Sequence, residues 1–293
     1  MPATLTIFTP AHNRANLLPR LYESLCRLSC HDFCWLIIDD GSTDNTRELV
    51  QGWIVEDRLP IRYEYKPNGG MHTAHNLAYR LIDTELNTCI DSDDYMPDDA
   101  VEKIIKCWKE HRGEGIAGSI GLDSDTNRKI LGEAFAHPFG ITPRGHCKLK
   151  GDKKLILRTD VVRKYPEVPV FEGEKYSDLG SMCMLIHFDW SFATTNDVYC
   201  IVEYQNEGSS KNMLRQYLLN PNGFAELRIL TLSHPGLSIL DKMRLSIHYV
   251  SSCFLAKKIK GFLGRTPCPL YAAVALVPGY LLSLYIKHNA NNK

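Results

Sequence analysis

The stretch Asn87-Thr88-Cys89-Ile90-Asp91-Ser92-Asp93-Asp94 runs from a short, largely apolar segment into an acidic cluster. Its first four residues read as a buried strand with the acids at its carboxyl end. Three earlier segments share the arrangement. Leu5–Thr9 ends in Thr9-Pro10-Ala11-His12-Asn13-Arg14, and Trp35–Ile38 ends in Asp39-Asp40-Gly41-Ser42-Thr43-Asp44. Ile61–Tyr65 leads into Asn68-Gly69-Gly70-Met71-His72. Between these segments, helical periodicity covers Ala15–Leu28, Thr46–Val55 and His72–Ile82, and Pro97–His111 follows the acidic cluster. Four strand–helix repeats predict an α/β protein: a Rossmann-like, mostly parallel mixed sheet flanked by helices. Ligands of open α/β sheets bind outside the carboxyl ends of the strands. All four polar loops therefore fall at the ligand-binding edge.

Beyond Gly115 the rhythm is less regular. Ile116–Leu122, Lys154–Leu157 and Tyr199–Tyr204 read as strands, and Thr159–Tyr165 and Leu179–His187 as helices. The connection Asp123–Lys153 is long and rich in Gly, Pro and His. From Met213 on, the chain reads as helical, with segments Met213–Leu219, Gly223–Ser233 and Ser238–Lys257. The expected organisation is one domain over residues 1–212, divided near 112, and a helical extension over 213–293.

Of the 293 residues, 44% are hydrophobic and 23% charged, an ordinary folded composition without a disordered tract. The net charge of zero hides an asymmetry. Residues 213–293 hold ten Lys and Arg against two acids, Glu226 and Asp241, so the first 212 residues are acidic overall. A basic segment of this kind suits an anionic surface. Its aromatics lie among aliphatic residues rather than between Lys and Arg, which argues against nucleic acid. Pro269–Ile286 is an uncharged stretch of 18 residues with Pro278-Gly279 in its middle. The expectation is a helical hairpin lying on an anionic membrane, with a buried helix pair as the alternative. The ten scattered cysteines, and a start that leads straight into a strand, suggest reduced thiols and a cytoplasmic, membrane-peripheral protein. Cys26, Cys30 and Cys34 lack the partners of a zinc site.

At the strand ends, the residue types point to chemistry. Asp91 and Asp93, one residue apart, can present two carboxylates to a hard cation such as Mn²⁺ or Mg²⁺ while leaving positions for phosphate oxygens. Asp39 and Asp40 offer acceptors to a nucleobase N–H or ribose hydroxyls, although either, or Ser42, can instead cap the following helix. Arg14 suits phosphate, and Gly69 and Gly70 let backbone approach a ligand closely. His72 and His75 are candidate phosphate contacts or plain helix-start residues. Residues 206–212 have the composition of a lid.

The ordered set of these motifs, from Thr9-Pro10-Ala11-His12-Asn13-Arg14 through Asn68-Gly69-Gly70-Met71-His72-Thr73-Ala74-His75-Asn76 to Ile90-Asp91-Ser92-Asp93-Asp94, resembles the inverting family 2 glycosyltransferases with the A-type fold. The resemblance covers residues 4–112 and, more loosely, extends to about 212. It implies that Thr9 and Asp40 contact uracil. It further implies that Asp91, Ser92 and Asp93, with Asp94 nearby, meet ribose, diphosphate and the metal, and that Pro10, His12, Asn13, Arg14, Asp39, Asn68, Gly69, Gly70, His72 and Asn76 line the nucleotide-sugar site. The extension is similar to that of bacterial members that build capsular or O-antigen units, which implies a UDP-sugar donor and a lipid-diphosphate-linked saccharide acceptor. Family members carry a carboxylate base at the start of a helix after the central region. Asp178 is the first candidate here, followed by Glu174 and Glu172; the usual Glu-Asp pair is absent. A nucleotidyltransferase, or a nucleotide-sugar-binding membrane protein without transfer activity, are the competing readings.

Overall fold

The computed structural model describes residues 3–142, 151–177, 179–203, 213–234 and 236–290. The chain forms β1 (Leu5–Ala11), α1 (Leu18–Cys26), β2 (Phe33–Asp40), α2 (Thr46–Glu56), β3 (Ile61–Lys66), α3 (Met71–Leu81), β4 (Leu86–Cys89), α4 (Ala100–His111) and β5 (Ile116–Ser124). There follow β6 (Phe139–Thr142), β7 (Lys153–Arg158), α5 (Thr159–Val162), α6 (Gly180–Asp189), β8 (Ser191–Ile201), α7 (Met213–Leu219), α8 (Pro221–Leu232), α9 (Ile239–Leu255), α10 (Phe262–Arg265), α11 (Pro269–Val274) and α12 (Leu276–Ala290). The strands make one mixed sheet in the order β3-β2-β1-β4-β7-β5-β8-β6. β1 pairs in parallel with β2 and β4, and β2 with β3, as right-handed βαβ repeats require.

All seven residues of β1 and all nine of β5 are buried, the signature of strands covered on both faces. Helix α1 turns Leu18, Leu21, Tyr22 and Leu25 to the core, a spacing that keeps one face apolar, and α4 does the same with Val101, Ile104, Ile105 and Trp108. The Tyr22 ring stacks on Trp53 at 4.3 Å between centroids.

The second half of the sheet differs from the reading of the sequence. β7 runs antiparallel to both neighbours, β4 and β5, and separates them. β8 begins at Ser191, well before the expected Tyr199, because its middle is polar (Thr194, Thr195, Asn196, Asp197) and hides the apolar pattern. β6, exposed at Phe139 and Ile141, was not expected at all.

The chain divides into two compact units: residues 1–167 with 182–205, and residues 168–181 with 206–293. Residues 168–181 thus group with the C-terminal helices, not with the domain assigned to 1–212. In the second unit α8, α9 and α11 pack around Ala225, Tyr249, Val250, Cys253, Ala272 and Ala275. The hairpin expected at Pro278-Gly279 does not form. Ala275 is in the right-handed helical region, and Ala275 N–H bonds Tyr271 O (2.9 Å) while Gly279 N–H bonds Ala275 O (2.8 Å). Pro278 falls in the first turn of α12, where its missing N–H costs nothing. No described helix is long and apolar enough to cross a membrane. The nine cysteines among the described residues are all free.

Candidate active site

The loops after β1, β2 and β3 are joined through side chains that accept backbone N–H groups. Asn13, in the left-handed region at φ 53°, accepts from Thr43 N (2.7 Å), and its own N–H donates to Ser42 Oγ (2.9 Å). The Arg14 N–H donates to Thr46 Oγ1 at 3.3 Å. Asp39 accepts from Ser42 N (2.7 Å) and from the Tyr63 hydroxyl. Asp40 is the centre of the β3 loop: it accepts from Gly69 N (2.9 Å), Gly70 N (2.8 Å), Asn68 Nδ2 (3.3 Å) and the Lys66 ammonium. Gly41 is required beside it, since a Cβ there would lie 2.6 Å from Asn68 N and its φ is +78°. Thr9 is fully buried; its hydroxyl donates to Ile90 O (2.8 Å) and accepts from Trp35 Nε1 (2.9 Å). Its side chain therefore locks β1 to β4 and β2. His12, Asn13 and Arg14 are exposed and Pro10 is buried. His72, His75 and Asn76 are buried on α3.

The acidic cluster behaves differently. Ser92 is buried, and Asp91 and Asp93 are half-buried. Asp91 Oδ1 lies 3.6 Å from Cys89 Sγ. Burial, with the neighbouring Asp91, pushes the Asp93 carboxyl up, against the pull of Arg14 and Arg20. The Asp93 carbonyl accepts from Arg20, whose guanidinium also pairs with Glu203 and lies 4.9 Å over the Tyr95 ring. Asp94 is turned inward: Glu203 N–H donates to Oδ1 at 3.2 Å, and Cys200 Sγ is 3.8 Å from Oδ2. Burial, with Asp91, Asp93 and Asp123 nearby, pushes Asp94 up to about 7, although Lys154 opposes the shift. Both Asp94 oxygens thus have partners within the protein.

Lys154 was not anticipated. Its ammonium bonds Cys89 O at 3.3 Å, at the last residue of β4, two residues before Asp91. Burial alone would depress it, yet Cys200, Asp123, Asp94 and Asp91 together hold it well above the ordinary lysine value. Asp123 Oδ1 is buried without a hydrogen-bond partner among the described residues. The signal was a lysine beside the apolar run Leu155-Ile156-Leu157; only the β7 pairing reveals what it faces.

Of the candidate bases, Glu172 is exposed and Asp178 lies outside the described residues, as does the 206–212 segment. Glu174 is buried and accepts from Asn222 N (2.8 Å), Asn222 Nδ2 (2.6 Å) and Gly223 N (2.9 Å). It satisfies the first turn of α8, whose N–H groups have no partner within the helix. That engagement makes it an anchor for the start of α8. A cavity of about 500 Å³ lined by Trp108, Arg112, Arg158 and Arg163 opens beside the start of β4, away from the acidic cluster. Its Arg158 is tied to Asp160 and its Arg163 to Ile82 O, so it forms no part of the site.

Among the described residues, no three His, Cys, Asp or Glu side chains are grouped as a metal cage. Asp91 and Asp93 nonetheless fit a hard divalent cation. They supply carboxylate oxygens, remain half-exposed, and leave positions that a diphosphate would complete.

The family model "Glycosyl transferase family 2" matches residues 6–158, more than half of the chain. The chain belongs to this family. The validoxylamine A glucosyltransferase of Streptomyces hygroscopicus subsp. jinggangensis is 37% identical over 202 residues, 66% of this chain and 43% of that protein. The chondroitin synthase of Pasteurella multocida (strain Pm70) is 36% identical over 102 residues, 35% of this chain and 10% of that protein. The chain thus spans less than half the length of either relative. Among solved structures, S. aureus TarS 1-349 in complex with UDP-GlcNAc superposes with a TM-score of 0.63 at 15% identity, covering 94% of this chain and 89% of TarS 1-349. The mannosyltransferase PcManGT from Pyrobaculum calidifontis, in complex with GDP-Man and Mn²⁺, gives 0.56 at 16% identity, over 97% and 88%. These likenesses show that this family 2 member has the A-type glycosyltransferase fold.

Proposed function

We propose that this family 2 member transfers a hexosyl or N-acetylhexosaminyl group from a UDP-sugar to a hydroxyl of a saccharide carried on a lipid diphosphate. The transfer inverts the anomeric centre and serves cell-surface polysaccharide synthesis on the cytoplasmic face of an anionic membrane. The observation that carries this reading is the contrast at the strand ends. The protein's own donors fill Asp40, while Asp91 and Asp93 stay half-exposed at the end of β4. UDP-GlcNAc in TarS and the polymer named for chondroitin synthase support the donor and product classes. GDP-Man with Mn²⁺ in PcManGT supports a divalent metal at the donor site.

In this reading the loops after β1, β2 and β3 form a pre-built cradle for the nucleoside. Asp40 contributes by fixing the Asn68–Gly70 backbone, and Thr9 by fixing the end of β1. His12, Asn13 and Arg14, at the exposed end of β1, face base and phosphate. Asp91 and Asp93 would hold Mn²⁺ or Mg²⁺, which when bound would supply Lewis-acid stabilisation of the charge on the departing diphosphate. The Lys154 ammonium sits against Asp94, Asp123 and Asp91 and partly offsets the repulsion among these acids without filling the cation's place. As the acceptor oxygen bonds to C1, the C1–phosphate-oxygen bond breaks on the opposite face. A carboxylate, Asp178 or Glu172, takes the acceptor's proton.

The test is UDP release from a panel of UDP-sugars, with and without a lipid-diphosphate saccharide. The expected result is acceptor-stimulated release that EDTA abolishes and Mn²⁺ restores. Absence of release from every UDP-sugar, or release indifferent to EDTA, contradicts the proposal.

A further inference from the structure

Helices α11 and α12 are built inside out. The residues they bury are mostly small: Ala272, Ala275, Gly279 and Ser283, with Ile286 as the one large member. The stripe packs tightly on α9, where a Cβ on Gly279 would lie 2.6 Å from Val250 Cγ1 and 3.0 Å from Ile247 O. The bulky apolar residues face outward instead. Leu270 is 81% exposed, Val274 67%, Val277 66%, Leu281 58% and Leu284 43%. The spacing Leu270, Val274, Val277, Leu281, Leu284 repeats every three to four residues, so these side chains form one helical stripe. Small residues toward the protein and large apolar ones away from it is the arrangement of helices that meet lipid. A soluble surface rarely exposes so continuous an apolar stripe without a partner.

Charge decides which partner. From Lys242 to Lys293 the chain contains no Asp or Glu, while Lys257, Lys258, Lys260 and Arg265 precede the stripe and Lys287 follows it. Lys257, Lys258 and Lys260 are exposed. A second copy of the same surface would bring these cations together, whereas an anionic bilayer would neutralise them. Neither helix can span a bilayer, but an in-plane helix needs only one apolar face.

We infer that α11 and α12 lie in the plane of an anionic membrane, with Leu270, Val274, Val277, Leu281 and Leu284 seated among the acyl chains and Lys257 and Lys258 among the headgroups. The inference deepens the membrane part of the proposed function and rests on it.

The experiment is co-sedimentation of the full chain with vesicles of phosphatidylcholine and phosphatidylglycerol, compared with phosphatidylcholine alone. Wild type, L281E/L284E and K257E/K258E are run side by side. Wild type is expected to bind the anionic vesicles. L281E/L284E is expected to bind at least tenfold more weakly, with unchanged helicity by circular dichroism and unchanged UDP release to a soluble acceptor. K257E/K258E is expected to lose most of the preference for anionic lipid. Wild-type binding that L281E/L284E retains in full overturns the inference and leaves membrane association standing. No binding by wild type, with UDP release intact, overturns both membrane statements and leaves sugar transfer standing. A wild-type dimer in light scattering that L281E/L284E abolishes, without vesicle binding by either, assigns the stripe to a second copy and also overturns it.

Discussion

Two carboxylate pairs end neighbouring regions of the same sheet, and the protein treats them in opposite ways. At the end of β2, Asp39 and Asp40 are saturated by donors from Ser42, Tyr63, Lys66, Asn68, Gly69 and Gly70. At the end of β4, Asp91 and Asp93 stand among further acids, with burial raising Asp93, and Lys154 set behind them. The first pair stabilises; the second carries unfavourable electrostatics that folding must offset elsewhere. Strain of this kind is expected where a ligand supplies the missing charge. Position at a strand end selects candidates, and donor saturation separates scaffold from site.

That contrast predicts unequal responses to substitution. The largest loss of stability belongs to Asp40→Ala, which leaves the Lys66 ammonium with Pro67 O but no carboxylate and strands the Gly69 and Gly70 N–H groups. Denaturant unfolding should show a loss of about 3–5 kcal/mol, the scale for breaking a buried ion pair. A loss below about 1 kcal/mol would remove Asp40 from the scaffold. Lys154→Met leaves Asp123 and Asp94 without their cation. It should cost about 3 kcal/mol near neutral pH, and the cost should shrink in acid as those carboxyls take up protons. A cost independent of pH would show that Lys154 acts through packing instead.

His75 probes the same edge by titration. Burial outweighs the pull of Asp91 and depresses its pKa to about 4, whereas the unfolded chain titrates near 6.5. The neutral ring therefore favours the fold fully above pH 6.5, and that advantage is lost as pH falls toward 4. Unfolding curves should lose about 2 kcal/mol between pH 6.5 and 5 through this group. His75→Phe should remove that part of the slope, and an unchanged slope would refute the assignment. The smallest effect belongs to Glu174→Gln, about 1–2 kcal/mol, because one amide oxygen replaces two carboxylate acceptors at the start of α8. Transfer activity under folding conditions should remain. A collapse of kcat in a fully folded variant would restore Glu174 as a base.

Much of this was legible in the sequence where the determining contacts are local or repeat along the chain. The strands β1 to β4, helices α1 to α4 and the four polar loops follow from apolar runs and turn residues alone. Antiparallel β7 was not, because Lys153–Arg158 pairs with β5 across the long 123–153 connection, and no local pattern encodes its place between β4 and β5. Lys154 was missed for the same reason: the acids it faces come from two other strands. Asp94 and Asp93 are adjacent and alike in sequence. Only the approach of Cys200 and Glu203, more than a hundred residues away, distinguishes an inward carboxyl from an available one. Glu174 met its partner Asn222 at a separation of 48 residues. In the C-terminal helices the uncharged stretch was evident, but which side would face outward depended on the tight packing of Gly279 on α9.

The central claim is that Asp93 helps hold the cation that binds the sugar diphosphate, while Asp40 builds the cradle. Calorimetric titration of UDP in the presence and absence of Mn²⁺ tests it most directly, on wild type and on Asp93→Asn. Wild type should bind UDP at least tenfold more tightly with Mn²⁺. Asp93→Asn should keep its thermal stability, keep the weak metal-free binding, and lose the Mn²⁺ enhancement. Equal Mn²⁺-dependent affinity in the two proteins would contradict the account.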